Sequence, residues 1–238
     1  MRRIYFSLLA ITLLSSLSML AQENDKNKPK IEGSGNVVTK DIAVQPFDQM
    51  TVSGAFSVQL SQGNKEEVKI EADDNLQSYF EVKNEGSKLV ISMKKDVNIS
   101  TKKKMKVFIT FRKLKEMDLK TVGDVSSDQT LSFDDLKIGN KSVGSVTLKL
   151  NAGKLTIDNK SVGDIKLSGK AENVTIRNKS VGSIKAADFV VQKMDIDNDG
   201  IGSAEVNAEK ELKVKDSFLG KVTNKGAATA SRANKVRI

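Results

Sequence analysis

Three identical pentapeptides, Asn-Lys-Ser-Val-Gly, are the first feature of this 238-residue chain that could bear on chemistry. They occupy residues 140–144, 159–163 and 178–182, so they recur every 19 residues. Each carries one lysine; these are Lys141, Lys160 and Lys179. If equivalent residues stack, the three ammonium groups lie closer together than a Debye length, and the row forms a basic edge suited to an anionic polymer. The alternative is a solvated row copied by tandem duplication, because long lysine side chains can splay apart in water.

The residue types that usually carry out catalysis are scarce. The chain contains no histidine and no cysteine, which removes the commonest general base and all thiol chemistry. Acidic pairs such as Asp73-Asp74 and Asp134-Asp135 are adjacent along predicted strands, so their carboxylates point to opposite faces. No nucleophile-elbow, phosphate-loop or zinc spacing occurs. We therefore expect a non-catalytic protein without a cofactor; a polysaccharide-active enzyme is the less favoured alternative.

One acidic run has the spacing of a metal site. Residues 195–200, Asp-Ile-Asp-Asn-Asp-Gly, resemble the start of an EF-hand loop, but position twelve is Val206 where a bidentate glutamate is required. Met194 and Ile196 interleave with the acids, which predicts a strand and not a calcium loop. A weaker cation site of another geometry stays open.

The densest basic patch is the lysine cluster at 94–106. It contains six lysines and no aromatic residue, and the whole chain has no tryptophan and 5% aromatic residues. Nucleic-acid binding normally combines basic residues with stacking aromatics. We therefore expect a solvated loop here and no nucleic-acid partner.

The elements that position the pentapeptides follow from apolar spacing. From Leu136, one template of five apolar positions repeats in five successive units of 18–20 residues, as in Leu155, Ile157, Val162, Ile165 and Leu167, with a single miss at Asn224. Spacings of two are typical of strands, and a fixed period of this size is typical of a solenoid. The chain is therefore predicted to be all-β, a right-handed parallel β-solenoid of stacked coils. All five positions, including the one occupied by Val143, Val162, Val181 and Ile201, are predicted to form inward ladders.

The pentapeptide itself is interpreted as a coil corner. Stacked asparagine amides can hydrogen-bond from coil to coil, and a glycine at a corner indicates a positive φ or a close backbone contact. The predicted corner ladder comprises Asn140, Asn159, Asn178, Asn198, Gly144, Gly163, Gly182 and Gly202.

The N-terminus has the pattern of a secretory signal. Met1-Arg2-Arg3 precedes an apolar run and then small residues, which predicts a signal peptide at 1–21 and cleavage after Ala21 or, alternatively, after Ser18. Residues 22–32 are predicted to be a flexible leader and 33–238 a single domain. No later segment is long and apolar enough for a membrane-spanning helix. Export to the periplasm or to the cell surface is expected, and both destinations stay open.

Four stretches of the N-terminal half carry a resemblance to a known family. They are Gly33-Ser-Gly-Asn36, the Phe47 to Val52-Ser-Gly54 step, Val58-Gln-Leu60 with Gln62-Gly63, and Glu71-Ala-Asp73 before Asn75-Leu76. From about residue 33 onward the chain resembles the Bacteroidetes family named "putative auto-transporter adhesin, head GIN domain". The resemblance implies an exported β-solenoid and an adhesin role without known functional residues.

Charge and fold class together suggest what is bound. The formal net charge is +9, and an extended rigid solenoid face suits long polymers and proteins better than small molecules. We expect an anionic surface polymer or glycan, or a protein partner at an open coil end or strand edge. A structural envelope protein without a dedicated ligand is the alternative.

Overall fold

The computed structural model describes residues 28–217 and 219–232 of the chain. Within these residues the fold is built from strands and one 3₁₀ helix at Asp74–Tyr79. The strands are β1 (Lys30–Glu32), β2 (Val37–Ile42), β3 (Gln49–Gly54), β4 (Ser57–Gln62), β5 (Glu67–Asp73), β6 (Phe80–Glu85), β7 (Lys88–Met93), β8 (Asn98–Ser100), β9 (Lys106–Phe111), β10 (Glu116–Thr121), β11 (Val125–Ser127), β12 (Leu131–Asn140), β13 (Val146–Asn159), β14 (Ile165–Asn178), β15 (Ile184–Asn198), β16 (Ala204–Asp216), β17 (Val222–Asn224) and β18 (Ala230–Arg232). The predicted signal peptide lies outside the described residues.

The second half is a stack of coils. Strands β13, β14, β15 and β16 pair parallel, each with the next, so that Leu155, Val174, Met194 and Leu212 lie in one column. Each of these strands provides nearly a whole coil, and a short corner leads to the next. The chain is a parallel β-solenoid of about six turns, as the repeat predicted.

The first half adds to the same sheet. Strands β3 and β4 pair parallel with β10 and β11, and β10 in turn pairs parallel with β12. Antiparallel pairs, β2 with β5, β5 with β9 and β6 with β7, occur only in this half of the described chain. Strand β1 pairs with β8, so the predicted flexible leader at 22–32 is wrong for residues 30–32.

Four of the five predicted apolar columns form the core. Leu155, Ile157, Ile165 and Leu167 are each at most 2% exposed, and their equivalents in neighbouring coils are buried too. Stacking side chains of the same kind fills a narrow interior without large residues.

The fifth column was predicted on the wrong side. Val143, Val162, Val181 and Ile201 are 53–59% exposed, so they do not form an inward ladder. The strand alternation continues through the corner, and polar residues occupy its inward positions instead. Their hydrogen bonds to one another compensate for the loss of water, which makes a polar interior possible here.

Candidate functional site at the coil corners

The corner alternates strictly between inside and outside. Asn159 and Ser161 are 1% and 3% exposed, whereas Lys160 and Val162 point into solvent. Backbone bonds hold each corner on the previous one, with the Lys160 N–H donating to the Asn140 carbonyl at 2.8 Å and the Val162 N–H to the Ser142 carbonyl at 3.0 Å. The corner therefore has a polar inner side and an outer side made of lysine and valine.

The inward asparagines form a continuous chain of amide hydrogen bonds. Asn140 Nδ2 donates to Asn159 Oδ1 at 2.9 Å, and Asn159 Nδ2 donates to Asn178 Oδ1 at 2.7 Å. Asn178 continues the chain to Asn198 Oδ1 at 2.6 Å, and Asn198 Nδ2 ends it on the Gly220 carbonyl at 2.7 Å. These hydrogen bonds fix the distance between each corner and the next, and therefore also the spacing of the outward-facing residues.

The corner glycines are required by close backbone contact. A Cβ added at Gly163 would lie 2.4 Å from the Gly144 carbonyl oxygen, and one at Gly182 would lie 2.4 Å from the Gly163 oxygen. None of the four predicted corner glycines has a positive φ. Of the two reasons considered for glycine, the structure therefore supports close approach.

Four lysines stack on the outer side of the corners. The register of β10 with β12 ends at Leu119 and Asn140, and the backbone bonds that continue it place Lys120 in the column of Lys141, Lys160 and Lys179. We call these four the lysine row. Each is exposed, and none makes an ion pair with a carboxylate among residues 28–217 and 219–232. Sequence analysis missed Lys120 because its corner reads Leu-Lys-Thr-Val-Gly, although the final Val-Gly is a usable signal.

Three acidic residues near the corners have partners other than the lysine row. Asp118 Oδ2 lies 3.9 Å from Lys88 Nζ, and Asp158 Oδ1 lies 3.8 Å from Arg177 Nη1. Asp164 Oδ1 accepts a bond from the Ser183 N–H, and Asp164 Oδ2 lies 2.6 Å from Lys185 Nζ. The bonds from Lys185 and Ser183 lower the pKa of the Asp164 carboxyl. These pairings leave the lysine row as the uncompensated charge of this edge.

A second outward row runs parallel to the lysine row, two residues further along each corner. It consists of exposed aliphatic side chains only, and we call it the aliphatic row. Its members are Val122, Val143, Val162, Val181, Ile201 and Leu219, which are 53–63% exposed. Exposed hydrophobic residues are unremarkable when scattered, but a contiguous line of them indicates an interaction surface.

The acidic run at 195–200 and the lysine cluster at 94–106 form no row comparable to those at the corners. Asp195 and Asp197 lie on β15, alternating with buried Met194 and Ile196, so this segment is a strand and no calcium loop. In the cluster at 94–106, Lys94 lies over the Tyr79 ring at 5.6 Å and Lys106 pairs with Glu71 at 3.0 Å.

A groove lies elsewhere on the coils, lined by residues of β12, β13, β14 and β15. Its volume is about 730 Å³, and Phe133, Ala152 and Ala171 are among the residues that line it. Lys170 and Glu172 are its only charged lining residues. No group of three or more acidic side chains in the described part of the chain could hold a metal ion.

Two of the sequence stretches that carried the family resemblance meet in space. Ser34 Oγ donates to Asp74 Oδ1 at 2.5 Å, and Asn36 Nδ2 donates to Asp74 Oδ2 at 3.0 Å. A Cβ on Gly33 would lie 1.8 Å from Asp73 Oδ2. These residues join the chain before β2 to the end of β5, which is a structural role.

Comparison with known proteins identifies the family. The family model described as "Putative auto-transporter adhesin, head GIN domain" matches residues 46–228. The chain belongs to this family. No curated protein matches it significantly.

Solved structures share the fold over most of the chain. A "putative adhesin" from Bacteroides fragilis is 28% identical, with a TM-score of 0.73 over 86% of this chain and 99% of that one. A "putative adhesin" from Parabacteroides merdae is 20% identical with a TM-score of 0.56, again over 86% and 99%. A "putative lipid binding protein" from Parabacteroides distasonis is 16% identical with a TM-score of 0.56 over the same shares. The latter two show the fold alone.

Proposed function

We propose that this protein is an exported, non-catalytic binding module of the cell envelope, of the adhesin type, whose lysine row attracts an extended anionic partner such as a surface polymer or glycan. The observation that supports it is the alignment of Lys120, Lys141, Lys160 and Lys179 without carboxylate partners among the described residues. Stacked like charges repel one another, and an anionic partner would relieve that repulsion. The family model and the similar proteins from Bacteroides fragilis and Parabacteroides merdae are described as putative adhesins.

Export is inferred from the N-terminal sequence and from the family description. Met1-Arg2-Arg3 and the apolar run after it are typical of a signal peptide. None of the described helical residues forms a segment able to span a membrane. We infer a periplasmic or cell-surface location, with residues 33–238 acting as one domain because β3 and β4 pair directly with the later strands. Protease treatment of intact cells distinguishes the two locations, since only a surface protein is removed.

The lysine row gives a first prediction. Changing Lys141, Lys160 and Lys179 together to glutamine should weaken low-salt binding to anionic envelope glycans roughly tenfold, at ~0.5 kcal/mol per exposed contact. Binding of the parent should fall as salt rises, because exposed charges are screened. The measurement is a glycan array or whole-cell binding assay at two salt concentrations.

A matched control removes the same charge from paired lysines. Lys137, Lys185 and Lys213 each lie within 3.0 Å of a carboxylate oxygen in an ion pair. Their combined change to glutamine should weaken binding much less than the change in the lysine row. Equal losses in both triple variants would show that net charge matters and the row does not. Unchanged low-salt binding in the lysine-row variant would refute the proposal and favour a protein partner or a purely structural role.

A further inference from the structure

We propose that the anionic partner of the outer face of the corners, which carries the lysine row and the aliphatic row, is the surface of an anionic lipid bilayer. This inference rests on the proposed function, because it names the partner of the same face. It is based on the combination of the lysine row with the aliphatic row, which lie side by side on the outer edge of the coils.

The two rows together have the pattern of an interfacial membrane contact. A soluble polyanion would satisfy the lysines but would leave six half-exposed aliphatic side chains in water. At a bilayer surface, aliphatic groups enter the boundary between headgroups and acyl chains, while lysines reach the anionic headgroups. A bilayer therefore complements both rows, whereas a hydrophilic glycan complements only one.

The geometry suits a flat partner. Parallel strands in neighbouring coils are about 4.8 Å apart, so the six members of the aliphatic row extend over roughly 24 Å. The row follows one edge of the solenoid, at the corners that join each long strand to the next. Lysine side chains beside it are long enough to direct their ammonium groups to headgroups while their stems follow the apolar surface.

Two neighbouring carboxylates are held by backbone hydrogen bonds. On the far side of the aliphatic row, Asp124 Oδ1 accepts the Ser145 N–H at 2.9 Å and Asp164 Oδ1 accepts the Ser183 N–H at 2.8 Å. Asp199 replaces lysine in the corner that follows Lys179, while Ile201 continues the aliphatic row. The attraction to an anionic surface is therefore concentrated on the part of the edge from Lys120 to Lys179.

The test measures co-sedimentation of the purified protein with lipid vesicles at low salt. We expect binding to phosphatidylcholine vesicles that contain about a third phosphatidylglycerol, and at least roughly tenfold weaker binding to pure phosphatidylcholine. The variant Val143→Ser, Val162→Ser and Val181→Ser should bind the anionic vesicles at least roughly tenfold more weakly, while its binding to soluble dextran sulfate should not change. The lysine-row triple variant should lose affinity for both. Circular dichroism spectra show whether the variants are folded.

The outcomes separate the two proposals. Undiminished vesicle binding by the serine variant overturns the lipid inference but does not affect the proposal that the lysine row binds an anionic partner. Binding of the parent to dextran sulfate but not to anionic vesicles would likewise overturn only the lipid inference. Undiminished binding of the lysine-row variant to both partners overturns the proposed function itself.

A second measurement keeps the inference testable if the triple variant misfolds. The chain has no tryptophan, so Val162→Trp introduces a single reporter in the aliphatic row. Its emission should shift to shorter wavelength with anionic vesicles and not with dextran sulfate. The control Lys154→Trp, at an exposed position outside the corner, should not shift with either. No shift at residue 162 while the protein is vesicle-bound would contradict the inference.

Discussion

Replacing Ile157 by aspartate is expected to reduce the free energy of unfolding by about 4 kcal/mol or more, enough to unfold a marginally stable domain. Ile157 is 1% exposed and lies between Ile138 and Ile176 in the register of neighbouring strands. A carboxylate at this position has only aliphatic neighbours above and below it. Thermal or urea unfolding, followed by far-ultraviolet circular dichroism, gives the change.

The same substitution five residues later provides the control. Val162 is 54% exposed, so Val162→Asp should change the free energy of unfolding by no more than about 0.5 kcal/mol. The pair tests the direction of the corner side chains, since both variants replace one β-branched residue by aspartate in the same coil. A Val162→Asp protein that is as unstable as Ile157→Asp would show that the valine column faces inward after all.

The second large effect is expected in the asparagine chain. Asn159→Asp places a carboxylate where Nδ2 donates to Asn178 Oδ1 at 2.7 Å, so two oxygens face each other without a proton. The cost at neutral pH should be about 3 kcal/mol, which is typical of a buried polar group left without a partner and of an unpaired buried charge.

This cost should depend on pH. Burial beside an acceptor raises the pKa of the introduced carboxyl above its unfolded value of about 3.9. Below that value the group is protonated in both states, and its O–H can donate to Asn178 as the amide did. The stability deficit relative to the parent should therefore be small below about pH 4 and should grow as the pH rises.

The exposed neighbour serves as the control for this variant. Lys160→Asp changes the charge by two units, but the side chain lies on the outer, solvent-exposed side of the corner. Its effect should be below about 1 kcal/mol and should lack the rise above pH 4. A pH-independent deficit in Asn159→Asp would indicate that the asparagine chain does not hold the coils together through that donor.

The solenoid could be predicted because its information is local and repeated. The period of the apolar residues, the four buried columns and the recurrence of asparagine all follow from residues about 20 positions apart. The error at Val162 arose because hydrophobicity was given more weight than alternation. Counting by two from buried Ile157 places Asn159 and Ser161 inside and Lys160 and Val162 outside, as observed.

Other features were not recognised in the sequence. The contact between Ser34 and Asp74 joins residues 40 positions apart, and neither belongs to a repeat. The corner of Lys120 shares only Val-Gly with the pentapeptides, and the pairing of β10 with β12 places it in the lysine row. The aliphatic row, which supports the lipid proposal, became visible only when the direction of each corner side chain was known.

Thiol labelling of the third corner tests most directly whether the lysine and aliphatic rows face outward. The chain has no cysteine, so Ser161→Cys and Val162→Cys each introduce a single thiol, and the two positions are adjacent. In the folded protein, Val162→Cys should react with a maleimide nearly as fast as in denaturant, whereas Ser161→Cys should react slower by orders of magnitude because labelling requires opening of the coil. Fast reaction of Ser161→Cys together with protection of Val162→Cys would reverse the corner and remove the proposed binding face.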